Sequence, residues 1–574
     1  MNYKMNYDKY PETKIEGFDK EAFGTISAME KELSTATQAV NCLVVDCYPG
    51  VDDEVLNFIQ DVYEPKILIR SEDIFYNKEK INELMQPHLT NDRVRGVMFY
   101  GVLEDFVDYE KLNEVKKFLQ DKQKILIYGV GARLISNGDL YIYCDLARWE
   151  IQCRYRQGMP NFKADNNDED SLRKIKRGFF IEWRIADKYK MKVFEKVDYF
   201  IDSNKYGHLK MVTGNALRSG LKQIVKQPFR LVPYFDPGVW GGQWMKEHCG
   251  LDPKEKNYAW SFDGVPEENS LYLRYGNVRI EIPAMDLVLY QPVELLGIKN
   301  YCRFGAEFPI RFDFLDTIDG QNLSLQVHPL TEYIKSHFGM TYTQDESYYI
   351  LDAQNHGGVY LGLKENINPE EMIDDLKVAQ LGKKTFDADR YVNFFPAKKH
   401  DHFLIPAGTI HCSSSGCMVL EISATPYIFT FKLWDWNRLG LDGFPRPIHI
   451  EDGKNNIQWD RTTQWVKNNL VNNIEIIHQD NDYLEEKTGL HELEFIETRR
   501  FTTKKRTYHS SKKGVHMLNL VDGSSAVIES PNGAFEPFIV HYAETFIIPS
   551  AVNEYTIRPY NKGETIKFIQ AYVR

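Results

Sequence analysis

No apolar run in the chain approaches the roughly 18 residues needed to cross a bilayer, so no membrane span is expected. The opening residues, Met-Asn-Tyr-Lys-Met-Asn-Tyr-Asp, lack the apolar core of a secretory leader. The eight cysteines include no CxxC pair. That suggests reduced thiols in the cytoplasm. Positive charge is in short supply: 70 Lys and Arg stand against 82 Asp and Glu, a net −12. That balance argues against nucleic acid or an anionic membrane surface as the main partner. There is no low-complexity tract and no GxxxxGK[ST] phosphate loop.

What the chain does have is length and texture. At 574 residues it exceeds one core, and about three or four domains are expected. Over the first 200 residues, apolar strand-like runs (Cys42–Cys47, Lys66–Arg70, Gly96–Tyr100, Lys124–Gly129, Leu140–Asp145) alternate with stretches of helical periodicity such as Asp52–Val62 and Tyr109–Leu119. This alternation predicts a parallel-sheet α/β domain over 1–202. The turn Tyr48-Pro49-Gly50-Val51-Asp52-Asp53-Glu54 sits where a phosphate loop would lie but has no lysine, and Gly129-Val130-Gly131 lacks the third glycine of a dinucleotide fingerprint. The domain reads as degenerate and nucleotide-binding-like, with no reaction assigned to it. The missing lysine also counts against a bifunctional chain whose first half phosphorylates a sugar. Basic residues within Arg173–Lys192 read as a solvated helix face. Residues 203–230, with six Lys/Arg and no Asp/Glu, read as a basic linker carrying a helix over Ala216–Val225.

Past residue 230, short apolar stretches separated by Gly, Pro, Asn and Asp predict an antiparallel sandwich or barrel. One β domain is expected over 231–480 with a helical insertion near 368–381, and a second, smaller one over 481–574. The chemistry-bearing residues lie in the first. In Leu323-Ser324-Leu325-Gln326-Val327-His328-Pro329, strand alternation puts Gln326 and His328 on one face. Glu346 follows in Gln344-Asp345-Glu346, and His411 closes Ile405-Pro406-Ala407-Gly408-Thr409-Ile410-His411. Two imidazoles, a carboxylate and an amide oxygen suit a borderline divalent cation.

In these blocks the chain resembles the class I mannose-6-phosphate isomerases, zinc-dependent members of the cupin superfamily. The resemblance runs from Trp240-Gly241-Gly242 through Phe308-Pro309 and the blocks above to Leu433-Trp434-Asp435-Trp436-Asn437-Arg438 and Arg446-Pro447-Ile448-His449, within residues 230–574. It implies two cupin (jelly-roll) β domains, the second without metal, and one zinc ion per chain on Gln326, His328, Glu346 and His411. The ligand set would also accept manganese, iron or nickel. The implied reaction interconverts mannose 6-phosphate and fructose 6-phosphate through a cis-enediolate. Lys432 would stabilise the oxyanion, and Ser324, Asp435 and Arg311 would contact a small-molecule sugar. His400 and His402 are read as non-ligands.

Three positions depart from the family's pattern. Lys432 stands where an arginine is common, Gln344 and Asp345 where a lysine often precedes the ligand glutamate, and Asp313 where a lysine often follows Phe-Pro. Fewer cations leave open a different or unphosphorylated sugar, or a non-catalytic sugar sensor. The sequence names neither the general base nor the oligomeric state.

Overall fold

In the computed structural model the described residues are 6–119, 124–424, 427, 429–489, 491, 492 and 494–574. Residues 1–5, part of the segment read for a leader, lie outside them. The chain divides into two compact units: residues 12–224 with 270–291, and residues 6–11 with 225–269 and 292–574. Among the described residues no helix is long and apolar enough to cross a membrane.

The first unit is built on a seven-stranded sheet. Ile67–Arg70, Ile125–Gly129, Cys42–Cys47, Leu140–Asp145 and Tyr199–Asp202 lie side by side in that order and pair in parallel. Their β-branched and aromatic runs suit strands covered on both faces; every residue of Ile125–Gly129 is buried. The chain moves from Cys42–Cys47 to one side of the sheet and later to the other, leaving a switch point at that strand's carboxyl end. The helices expected over 52–62 and 109–119 form as Glu54–Tyr63 and Tyr109–Phe118.

Three expectations fail in this unit. Gly96–Tyr100 is not a strand: Val97 N–H donates to the His88 carbonyl and Phe99 N–H to that of Phe180, so no ladder is left for it to join. Residues 203–230 are not a simple linker, because Lys210–Thr213 extends the sheet antiparallel to Tyr199–Asp202, while the helix expected over Ala216–Val225 forms as Gly214–Ile224. The basic stretch is not a solvated face either. Within Ser171–Arg177, the π-helical turn Gly178–Glu182 and Trp183–Val193, the side chains of Lys174, Lys176, Arg177 and Lys190 are buried. Burial is tolerated because polar partners are supplied. Lys174 Nζ donates to the Met159 and Asn167 carbonyls at 3.1 and 2.9 Å, and Arg177 Nε pairs with Glu182 at 2.7 Å. Gly129, with φ 123°, owes its identity to packing, since a Cβ there would meet Ser71 Oγ at 2.5 Å.

The second unit is antiparallel throughout its main sheets. A six-stranded sheet (His402–Ile405, Glu346–Ala353, Cys417–Ser423, Arg311–Asp316, Trp260–Gly264, Tyr234–Asp236) accompanies a five-stranded one (Val392–Pro396, Gly358–Leu363, His411–Ser413, Leu325–Val327, Phe431–Trp434). The expected insertion is the helix Pro369–Gln380, whose start is set by Asn368 Oδ1 accepting from the Glu370 and Glu371 amides at 2.9 and 3.3 Å. Six- and four-stranded sheets follow over 475–573, around a core that includes Phe501, Leu518, Phe546 and Phe568.

This unit carries an acid sensitivity that can be measured. Burial pushes the imidazoles of His402 and His516 down to about 3. Both are neutral in the fold and titrate near their ordinary value when unfolded, so the unfolded chain binds more protons in between. Their contribution is fully present above about pH 6.5 and is lost as pH falls, at about 1.4 kcal/mol per pH unit per histidine. Urea unfolding across this window should show that slope, and His402→Gln should remove one histidine's share. An unchanged slope in the variant would reject the assignment.

Candidate metal centre

Two sheets bring the expected ligands together. Gln326 lies in Leu325–Val327, directly opposite His411 on one neighbouring strand and opposite Lys432 on the other. Cross-strand partners share a face, so Gln326, His411 and Lys432 project to the same side. Glu346 begins a strand of the other sheet, paired between Ile405 and Ser423. His328 follows one residue after its strand ends.

His328, Glu346 and His411 are fully buried, and their ligand atoms all lie within 4.8 Å of one another. His328 Nε2 is 3.1 Å from Glu346 Oε2, and His411 Nε2 is 2.9 Å from Glu346 Oε1. The other ring nitrogens are committed: His328 Nδ1 lies 2.9 Å from the Phe429 carbonyl and His411 Nδ1 2.9 Å from that of Thr409. A carbonyl only accepts, so each Nδ1 carries a proton, and each Nε2 of a neutral ring aims a lone pair at the carboxylate. Acceptors then face acceptors in a dry site unless a positive charge stands among them. His328 Nε2 and Glu346 Oε1 are accordingly buried without a hydrogen-bond partner. This donor set fits a divalent cation, with the backbone carbonyls fixing the ring tautomers as outer partners of metal-bound histidines do. Gln326 Nε2 is 3.3 Å from His411 Nε2, and turning the amide over would offer Oε1 in its place.

The three groups are also strongly coupled in charge. Burial raises the Glu346 carboxyl, but the His328 and His411 rings outweigh it and hold the group well below its ordinary range. Burial lowers His328, and Glu346 more than reverses this. Neighbouring carboxyls behave oppositely: burial, with Asp313 and Glu346 nearby, pushes Glu421 well up, and burial raises Asp345 to about 6.

The remaining expected residues separate into two groups. Ser324 Oγ donates to Asp435 Oδ1 at 2.7 Å, and Arg446 Nη1 reaches Ser324 Oγ at 3.0 Å and both Asp435 oxygens at 3.0 and 3.1 Å. Arg438 adds a 2.7 Å bond to Asp435. Arg311 is elsewhere: it is 3% exposed and paired with Asp313 at 3.1 Å, beneath the ring of Phe262. A guanidinium so enclosed is not presented to a substrate, which corrects the expectation for Arg311. His402 and His400 bond Ser347 Oγ at 2.8 Å and the Tyr349 hydroxyl at 2.9 Å. They engage the face of that strand opposite to Glu346.

Two contributors had gone unassigned. Gln344 Nε2 donates to Glu346 Oε2 at 2.9 Å while its Oε1 accepts from the Phe429 amide at 2.8 Å, tying the carboxylate to the peptide that orients His328. Arg446 was visible only as part of a block. Its signal would have been its pairing with Asp435, eleven residues away across a loop.

Residues 25–226 match the model of a domain of unknown function (DUF8485). The chain is 26% identical over 226 residues to a probable mannose-6-phosphate isomerase of Bacillus subtilis, and 27% identical over 227 residues to the mannose-6-phosphate isomerase of Streptococcus mutans. Each match covers 39% of this chain and 66% of the relative, just under two thirds of its length. The crystal structure of the mannose 6-phosphate isomerase from Bacillus subtilis aligns with a TM-score of 0.49 at 16% identity, over 60% of this chain and 99% of that one.

Proposed function

We propose that the cupin-like half of this chain is a metal-dependent aldose–ketose isomerase, interconverting mannose 6-phosphate and fructose 6-phosphate. The observation that carries the reading is the convergence of two imidazole Nε2 atoms and a carboxylate, all buried, with His328 Nε2 and Glu346 Oε1 left without a hydrogen-bond partner. Relatives named as mannose-6-phosphate isomerases support the choice of sugar. Gln326, His328, Glu346 and His411 would hold the ion, zinc in the first instance. With one anionic ligand, such an ion keeps most of its charge and would act as a Lewis acid towards a sugar oxygen.

The chain's own residues do the rest. Lys432, half-buried and on the same face as Gln326 and His411, places a fixed positive charge where an enediolate oxygen develops. The ammonium keeps the charge of an arginine but not its planar fork, so a bidentate grip on substrate is not expected. Asp435, held below its ordinary range by Arg446 and Arg438 against burial, keeps Ser324 fixed at the start of the Gln326 strand. Lys432→Ala should lower kcat by about a hundredfold while leaving metal content intact, and Lys432→Arg should lower it less. Loss of the ion from the alanine variant, by elemental analysis, would mean that Lys432 serves the site's integrity instead.

A second reading, an unphosphorylated hexose as substrate, is favoured by Arg311, whose charge is neutralised by Asp313. A coupled assay separates the two: turnover of mannose 6-phosphate that disappears on chelation supports the first, and turnover of free mannose alone supports the second. Tight sugar binding with no turnover by the metal-loaded chain would sink both in favour of a sensor.

A further inference from the structure

The α/β unit contains a polar cavity of about 460 Å³, well away in sequence from the metal ligands. Four of its lining residues are cations, Lys78, Arg173, Lys176 and Arg177, against two acids, Asp165 and Glu169. Several of these charges are already matched. Lys78 pairs with Asp165 at 2.6 Å, and Arg177 with the fully buried Glu182 at 2.7 Å. Glu169 accepts from Asn166 Nδ2 at 2.7 Å.

Two cations are not matched. Lys176 is 2% exposed, and its ammonium is bonded only to the Thr90 and Asp92 carbonyls. Among the described residues, no carboxylate lies within ion-pair distance of it. Arg173, three residues earlier on the helix Ser171–Arg177, makes no side-chain ion pair or hydrogen bond among the described residues. Like charges at this helical spacing repel, and burying a cation without a counter-charge is costly. Burial and the neighbouring Arg173 guanidinium depress the Lys176 ammonium by more than the charges of Asp92, Glu169 and Asp170 raise it. The helix runs directly into the π-helical turn Gly178–Glu182, a backbone irregularity frequent at functional sites.

We propose that this cavity binds a small phosphate monoester of a polyhydroxylated compound, a sugar phosphate in class, with the phosphate between Arg173 and Lys176. The charge balance favours an anion: Lys78 cancels Asp165 and Arg177 cancels Glu182, so Arg173 and Lys176 against Glu169 leave a net positive charge. A fork and a point charge are the usual pair of phosphate donors. The rest of the lining selects the organic part. Asn82, Gln86, Thr90 and Asn91 offer amide and hydroxyl groups suited to sugar hydroxyls, and only Leu89 and Ala164 are apolar. No aromatic ring lines the cavity, so a nucleotide base would have nothing to stack on. The inference is independent of the isomerase reading.

Isothermal titration of the full chain with glucose 6-phosphate at low salt tests this, before and after chelation so that the metal centre is silenced. One saturable site that survives chelation is expected, with no binding of free glucose and weaker binding of AMP. Arg173→Glu should weaken binding by about tenfold or more, and Arg173→Lys should restore most of it. Because Arg173 has no internal partner and repels Lys176, the unfolding transition should be unchanged in Arg173→Lys and should not fall in Arg173→Glu. Absence of saturable binding, equal affinity in Arg173→Glu, or tighter binding of AMP than of the sugar phosphate would overturn the proposal.

Discussion

Glu346→Gln should abolish metal-dependent behaviour by two independent measures. Glutamine keeps the size of the side chain but removes the only anionic ligand and leaves an amide between two imidazoles. Isomerase activity should fall at least about a thousandfold, the scale seen when a group that organises the reacting charge is lost. The second measure needs no turnover. Ligand binding to the native state stabilises it by about 2.7 kcal/mol at a hundredfold excess over Kd. Added zinc should therefore raise the unfolding temperature of the chelated wild-type chain and leave that of Glu346→Gln unmoved. An equal zinc-induced shift in the two proteins would place the ion elsewhere. A shift confined to wild type without any sugar turnover would keep the metal and discard the reaction.

The two halves of this expectation were unequally legible in the sequence. The residues proposed as ligands could be read because each sits in a short segment whose local pattern dictates its side: alternation around Gln326 and His328, a strand opening at Glu346, and a Pro-Ala-Gly turn before His411. Positioning residues were hidden because their roles are relations between distant segments. Gln344 acts through Glu346 and through Phe429, 85 residues away. Arg311 looked available to substrate because a strand pattern gives its face, not what fills that face. Asp313, two residues along on the same side, takes the guanidinium.

The α/β unit shows the same limit on a larger scale. Its central strands are continuous apolar runs and were readable. The hairpin Ser270–Tyr275 and Val278–Pro283 and the helix Ala284–Tyr290 lie within the β-rich part of the sequence, yet they belong to this unit. There Glu12–Ile15 joins the hairpin as a parallel third strand. Nothing local announces such pairing across more than 250 residues. The buried lysines follow from it, because a lysine is written off as solvated until its partners are known, and one of the carboxylates facing Lys190 arrives on that distant helix.

Lys190 is therefore where the largest loss of stability is expected. Its ammonium is ion-paired with Asp145 and, at 2.8 Å, with Asp286, and lies 4.5 Å from the Tyr48 ring centre. All three charged groups are essentially inaccessible to solvent. Burial pushes the carboxyls of Asp145 and Asp286 up, Lys190 pulls both back, and their charges in turn raise the ammonium against its own burial. Lys190→Met keeps the packing volume and removes the cation, leaving two buried carboxyls facing each other. The cost should be about 3–5 kcal/mol, as for other buried pairs broken on one side. It should also depend on pH in a definite sense. Without the lysine the folded state holds protons on these carboxyls to higher pH than the unfolded chain does. Stability is then lost as pH rises, so the deficit is greater at pH 8 than at pH 5. Adding Asp286→Asn to Lys190→Met should recover part of the loss, since one charge is easier to bury than two, whereas Asp286→Asn alone should destabilise. That sign reversal marks a coupled network, and chemical denaturation of the four proteins at both pH values measures it. Strictly additive losses, or a deficit that does not change with pH, would mean that Lys190 acts through packing alone.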